Sequence, residues 1–183
     1  MTNIILKIVL FGDGAVGKTT LRYRYMGKGF KTNLLPTIGA DWALFNTKIE
    51  NKNVKFQIWD LAGQPSQKNV RKTFYKGAVG GVAVFDVTRR KSFENLPEWL
   101  SECFNNNNLG IVPIVVLGNK VDLRDQAPKC VQEDEGRTFS EKLTRKWRKE
   151  GLTASYFDTS AKTGVNVIEA FEALGRAILE RYG

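Results

Sequence analysis

The octet GDGAVGKT at residues 12–19 sets Gly12, Gly17, Lys18 and Thr19 in the pattern G-x-x-x-x-G-K-[ST], straight after the apolar run IILKIVLF. These residue types at this spacing suit a polyphosphate. Glycines let the backbone turn sharply, so that amides along Asp13, Gly14, Ala15, Val16 and Gly17 approach anionic oxygens. A helix opening at Gly17 aims further N–H groups, out to Thr20, and the positive end of its dipole at the same point. Lys18 brings a full positive charge between the outer phosphates. The Thr19 hydroxyl is a ligand for Mg2+. A glycine-rich turn that binds nothing is the competing reading. The strand before the octet and the helix-compatible GKTTLRYRYM favour phosphate.

Three further motifs follow apolar runs. In WDLAGQ (59–64), Asp60 suits Mg2+ held through its water shell, the Gly63 amide suits a γ-phosphate, and Gln64 suits the orientation of an attacking water. In NKVD (119–122), the Asp122 carboxylate can accept from both the N1–H and the 2-amino group of guanine. Adenine lacks both donors and would leave the charge unpaired. Asn119 can tie loops together, and the Lys120 stem can lie along a base. In TSAKTG (159–164), amides near Ala161 can meet the guanine carbonyl, Lys162 can cover the ring, and Ser160 can brace the loop. Each of these three alone reads equally as a surface turn. After a phosphate loop they form a set.

The elements that must carry these motifs alternate. Residues 3–11 read as a buried strand and 17–26 as the first helix. Residues 41–50 and 54–60 flank NKN, a tight-turn signal, and pair as a hairpin. Residues 66–76 are polar and helix-compatible. The apolar runs 79–87 and 111–119 suit central parallel strands. A helix is expected over 92–105, with Ser92 as its cap and Leu96, Trp99, Leu100 and Cys103 on one face. Further helices are expected at 133–150 and 166–181, with a short strand at 154–158. This order predicts a three-layer α/β/α fold: a six-stranded, mostly parallel sheet with one antiparallel edge strand and about five helices. Ligands in such sheets bind beyond the carboxyl ends of the strands.

A chain of 183 residues with 42% hydrophobic and 26% charged residues is expected to form one domain, 1–183. It has no apolar run of about 18 residues, and MTNIILKIVLF lacks the basic leader of a secretion signal. Cys103 and Cys130 show no metal-ligand spacing and suit a reducing cytosol. The formal charge is +9. It suggests anionic partners, but no RNA or DNA motif accompanies it, and no nucleic acid is expected. The segment KLTRKWRK (142–149) would place Lys142, Arg145, Lys146 and Lys149 on one helical face and Phe139, Leu143 and Trp147 on another. The basic face reads as a solvated surface, or as a peripheral contact with anionic lipid or an acidic partner.

In order and spacing the four motifs resemble the Ras superfamily of small GTPases, over nearly the whole chain. The resemblance implies a P-loop G domain that binds GTP or GDP with Mg2+. It implies slow GTP hydrolysis, and a switch that acts in membrane trafficking or signalling. It also implies a monomer that meets effector proteins, a GTPase-activating protein and an exchange factor. Thr37 in PTIGADW is similar to the family threonine that senses Mg2+ and the γ-phosphate, and Phe30 to the ring that packs on the base. Segments 30–41 and 61–75 correspond to the two switches. GDGAVGKT is most like Rho proteins, whereas PTIGADW, QIWDLAGQ and FYKGA are most like Rab proteins. Trp42, Trp59 and Phe74 resemble the aromatic triad through which Rab proteins meet effectors, although packing in the core and at the sheet edge explains the same residues. A P-loop kinase or ATPase conflicts with Asp122, and a binding module without turnover conflicts with Gln64.

Three departures stand out. Pro65 follows Gln64 where most relatives place an acidic residue, and proline drives the preceding residue towards extended geometry. Leu35 sits two residues before Thr37, where G-protein α subunits carry a catalytic arginine, so an arginine from a partner is expected. With Thr2 at the second position and Cys130 as the last cysteine, this chain shows no lipidation motif. A cytoplasmic location, peripheral to membrane at most, follows as the expectation.

Overall fold

The computed structural model describes residues 4–183. Thr2 and the expected first residue of the opening strand lie outside the described residues. The elements run β1 (Ile4–Phe11), α1 (Lys18–Tyr25), β2 (Ala40–Ile49), β3 (Lys52–Leu61), α2 (Lys68–Arg71), β4 (Gly80–Asp86), α3 (Arg90–Glu94), α4 (Leu96–Asn106), β5 (Ile114–Asn119), α5 (Glu133–Lys146), β6 (Ala154–Asp158) and α6 (Val167–Tyr182). The sheet order is β2-β3-β1-β4-β5-β6. Among the described residues only the β2–β3 pair is antiparallel. The expected α/β architecture with one antiparallel edge is therefore present.

Both faces of the sheet are covered, and the sequence shows why. Every residue of β4 and β5 is buried, as their unbroken apolar runs require. On one face Leu21 and Tyr25 of α1 and Phe171, Leu174 and Ile178 of α6 close over Leu6, Ile8, Phe56 and Val84. On the other, Trp99, Leu100 and Cys103 of α4 and Leu143 of α5 cover Val9, Phe85, Val116 and Tyr156. The expected stripe on α5 holds: Leu143 is buried, and Phe139 and Trp147 pack against the same core. The connection after β1 runs to one side of the sheet, to β2, and that after the neighbouring β4 runs to the other, to β5. The crevice beyond the carboxyl end of β1 is the switch point at which such sheets take ligands.

The structure corrects several boundaries. Among the described residues there are six α-helices, in keeping with the expected count of about five. The helix expected over 92–105 is two, α3 and α4, meeting at Asn95 with Pro97 in the first turn of α4. Proline cannot supply the amide that would continue the ladder through this point. Ser92 is not a cap: it lies inside α3, where its Oγ accepts from the Asp86 amide (3.0 Å) and donates to the Arg89 carbonyl (2.7 Å). The helix expected over 133–150 stops at Lys146, and a 3-10 turn at 148–150 ends on Gly151 with φ 75°. Lys149 therefore leaves the helical face on which Lys142, Arg145 and Lys146 stand exposed. The hairpin turns on Glu50 and Asn51, with φ of 48° and 65°, so only the first residue of NKN lies in the turn and Lys52 and Asn53 already belong to β3. The β5 strand begins after Pro113, later than expected. The 66–76 region is the single turn α2 between 3-10 turns at 65–67 and 72–75. Among the described residues, no helix is long and apolar enough to cross a membrane.

Candidate functional site

The loop between β1 and α1 is built by backbone geometry. Gly12 and Gly17 hold φ of 141° and 101°, and Ala15 holds 61°. A Cβ on Gly12 would strike the Val84 carbonyl, and one on Gly17 would strike the Asn119 amide, so both positions require glycine. The α1 helix begins at Lys18, whose side chain turns back across the loop. Its ammonium donates to the carbonyls of Gly12 and Asp13, each at 2.8 Å. Burial lowers the Lys18 pKa from 10.5 to about 8. The Asp60 and Asp13 charges oppose this shift, and those of Arg71 and Arg89 reinforce it.

The loop forms one end of a cavity of ≈650 Å³. Gly14, Ala15, Gly17, Lys18, Thr19, Thr20, Phe30, Thr37, Gly63, Gln64, Asn119, Lys120, Asp122, Ala161 and Lys162 all line it. Fifteen of the expected residues, from six separate parts of the chain, thus converge on one space. Four others do not line it. The Asp13 carboxylate faces away, held by Asn95 Nδ2 (2.9 Å) and Trp99 Nε1 (2.7 Å). Val16 is buried in the core. Ser160 is buried behind Asp122, and Asp60 lies behind Thr19.

Thr19, Thr37 and Asp60 meet at one point. Thr19 Oγ1 donates to Asp60 Oδ2 and lies 3.3 Å from Thr37 Oγ1. Asp60 is fully buried, and burial raises its pKa. Its Oδ1 has no hydrogen-bond partner. Two hydroxyls and a carboxylate with an orphaned oxygen form a hard, all-oxygen donor set that fits Mg2+, an ion that keeps waters and phosphate oxygens in its shell. The nearby charges of Lys18 and Arg22 oppose the rise that burial imposes on the Asp60 pKa.

The loops after β5 and β6 are cross-braced. Asn119 Nδ2 donates to the Val16 carbonyl (2.9 Å), while Oδ1 accepts from Thr159 Oγ1 (3.3 Å) and the Ala161 amide (3.2 Å). The Ala161 amide is therefore engaged by Asn119 in this structure. Ser160 Oγ donates to Asp122 Oδ1 (2.6 Å) and accepts from the Thr163 amide (3.1 Å). The bracing role expected of Ser160 is thus visible, and it leaves Asp122 Oδ2 without a partner among the described residues. Lys120 Nζ donates to the Ala15 carbonyl (2.8 Å) and pairs with Asp86 (2.7 Å). Burial opposes ionisation of Asp86, but the bonds from Lys120 and Thr88 outweigh it and lower its pKa.

Sequence reasoning missed two buried or bridging arginines. Arg24 on α1 donates Nε to the Ala161 carbonyl (2.8 Å) and Nη2 to that of Lys162, clamping the 159–164 loop from across the cavity. Arg71 on α2 forms a buried fork with Glu102 (2.6 and 3.0 Å), lies 4.1 Å above the Trp99 ring, and donates to the Gln64 carbonyl (2.8 Å). Nothing in the local sequence of either separates it from an ordinary surface cation. Gln64 itself has φ −75° and ψ 139°, the extended geometry that Pro65 imposes, and its buried Oε1 has no partner. The two switch segments touch: the Ala62 amide donates to the Gly39 carbonyl (2.9 Å), and the Gly39 amide to Gln67 Oε1 (3.1 Å). Trp59 stacks between Trp42 (5.9 Å) and Phe74 (5.5 Å), with Trp42 half exposed at the sheet edge.

This fold and this site define a P-loop nucleotide-binding protein, and the profile of the Ras family matches residues 7–180. The chain belongs to the Ras family. It is 38% identical over 179 residues to the Ras-related protein Rab-13 of Rattus norvegicus, covering 98% of this chain and 82% of that protein. It is 38% identical over 177 residues to the Ras-related protein Rab-2B of Dictyostelium discoideum, covering 97% and 82%. It is 41% identical over 169 residues to the Ras-related protein RABA6a of Arabidopsis thaliana, covering 92% and 67%. It is thus a Rab-like small GTPase that takes GTP and GDP with Mg2+.

The state of Lys18 makes nucleotide binding pH-dependent. Phosphate oxygens favour the ammonium and raise a pKa that burial holds at about 8 in the free protein. Between that value and the raised one, binding must draw in a proton. Calorimetry in buffers of different ionisation enthalpy should find uptake of up to about one proton on GDP binding near pH 9 and none from this group near pH 6. Equal uptake at both values contradicts the buried, proton-losing Lys18.

Proposed function

We propose that this GTPase acts as a switch whose nucleotide is read by three groups of residues. Amides from Asp13 to Thr20, with Lys18, hold the phosphates. Asp122, Lys120, Phe30, Ala161 and Lys162 hold the guanine, braced by Asn119 and Ser160. Thr19, Thr37 and Asp60 hold Mg2+, which supplies charge neutralisation at the outer phosphates. The observation that carries this reading is the convergence of Lys18, Thr37, Gln64 and Asp122 on one cavity.

Gln64 lacks useful basicity, so its task is to orient water rather than to remove a proton. Gly63 and Gly14 stand close enough that a Cβ on Gly63 would strike the backbone of Asp13 and Gly14. A side chain at position 14 would stand against Gly63, next to Gln64 in the chain. The segments 30–41 and 61–75, joined through Gly39, would shift together when the γ-phosphate leaves and so expose or hide the Trp42–Trp59–Phe74 surface from effector proteins. A GTPase-activating protein and an exchange factor would act on the same segments. We place the protein in the cytoplasm as a monomer, with Lys142, Arg145 and Lys146 as a peripheral contact for anionic membrane in trafficking or signalling.

Nucleotide choice should follow Asp122. Asp122→Asn should weaken GTP binding by at least about tenfold and improve xanthosine triphosphate binding, because an amide N–H can meet the extra carbonyl. Competition binding checks this, and unchanged GTP affinity would remove the guanine assignment. Hydrolysis should follow Gln64. Gln64→Leu should keep GTP affinity within about threefold and slow single-turnover hydrolysis by at least about tenfold. Turnover that survives the change would sink the role given to Gln64.

A further inference from the structure

The sequence offers no arginine two residues before Thr37, but the fold brings one to the phosphate loop from elsewhere. Arg89 follows β4 and precedes α3. Its Nη2 donates to the carbonyl of Gly14 at 2.6 Å. No other hydrogen bond or ion pair engages its guanidinium among the described residues. The nearest acid in the loop, Asp13, is already held by Asn95 and Trp99 and does not neutralise it. Arg89 also lines a second cavity of ≈400 Å³, whose wall shares Gly14, Gly63 and Gln64 with the nucleotide cavity. The guanidinium thus stands on the side of the loop where the side chain that orients water also lies.

We propose that Arg89 is an arginine supplied in cis, which donates to the phosphoryl group during its transfer from GTP to water. The proposal rests on the reading of this cavity as the nucleotide site. In the reaction, a water oxygen forms a bond to the γ-phosphorus while the bond from that phosphorus to the β–γ bridging oxygen breaks. The bonding pair stays on that oxygen as GDP leaves, and a water proton passes to the released phosphate. Negative charge builds on the bridging and γ-oxygens along this path, and a planar cation beside them lowers the barrier. With Nη2 anchored on Gly14, Arg89 keeps Nη1 and Nε to offer. The bond to the Gly14 carbonyl holds one end of this exposed side chain beside the loop, which lessens the ordering needed at the moment of reaction.

The backbone at this corner does not depend on the Arg89 side chain, because the Arg89 carbonyl makes the local bonds to Ser92. Arg89→Ala and Arg89→Lys can therefore be compared with the natural protein, each loaded with GDP and with no partner protein present. Aluminium fluoride, which copies the planar phosphoryl group, is the probe, read by fluorine NMR. The natural protein should bind it, Arg89→Ala should not at the same concentration, and Arg89→Lys should bind it more weakly than the natural protein. Single-turnover hydrolysis should fall at least about tenfold in Arg89→Ala, while dissociation rates of GDP and of a non-hydrolysable GTP analogue stay within about threefold. Equal binding of aluminium fluoride by the natural protein and Arg89→Ala overturns the proposal, as does binding by neither. Failure of the natural protein to bind GDP overturns the site reading, and this proposal with it.

Discussion

One buried amide determines how the rest of the site is arranged. Asn119, at the end of β5, ties the phosphate loop through the Val16 carbonyl and the 159–164 loop through Thr159 and Ala161. None of these loops has regular secondary structure to fix it. Buried backbone groups outside helices and strands must still find partners, and Asn119 is the partner for several at once. Its position also explains Gly17, because the Asn119 nitrogen occupies the place that a Cβ would need. The brace turns a phosphate loop and a base loop into one receptor. Lys120 on Ala15 and Arg24 on the Ala161 and Lys162 carbonyls repeat the connection from two other directions.

The site concentrates groups that protein atoms satisfy incompletely. Lys18 is buried with only carbonyls as acceptors, and its pKa falls in consequence. Asp60 Oδ1 and Gln64 Oε1 are buried without partners. A buried polar group left unpaired costs about 1–3 kcal/mol, more if charged. Each of these groups would gain a partner from a polyphosphate, its metal or a water. The cavity is therefore strained electrostatically towards the ligand that the family binds. Beside it Arg71, Glu102 and Tyr75 satisfy one another beneath the 61–75 segment, although buried polar atoms of Arg22, Tyr25, Trp59, Arg124 and Ser140 also lack partners. Gln64 is anchored through its carbonyl to Arg71, and its side chain is unengaged.

The sequence was most legible where chemistry demands fixed types at short spacing. GDGAVGKT, WDLAGQ, NKVD and TSAKTG each named residues that the fold brings together, and β4 and β5 were plain from unbroken apolar runs. Arg24, Arg71 and Arg89 were not legible, because their partners lie 137, 31 and 75 positions away in the chain. The engagement of the Ala161 amide by Asn119 was hidden for the same reason. Local errors had local causes. Helical periodicity runs smoothly through 92–105, and only the junction at Asn95, with Pro97 in the first turn of α4, splits it. The hairpin tightened by one residue because strand pairing sets Ile49 opposite Lys52, which leaves Glu50 and Asn51 as the two-residue turn.

The central claim is that Asn119 makes the two loops a single unit. Hydrogen exchange on Asn119→Ala, followed segment by segment, tests it most directly. The account predicts faster exchange in both 12–17 and 159–164, unchanged exchange in β4 and β5, and GDP dissociation faster by at least about tenfold. Faster exchange confined to one of the two loops, with GDP dissociation unchanged, would contradict it.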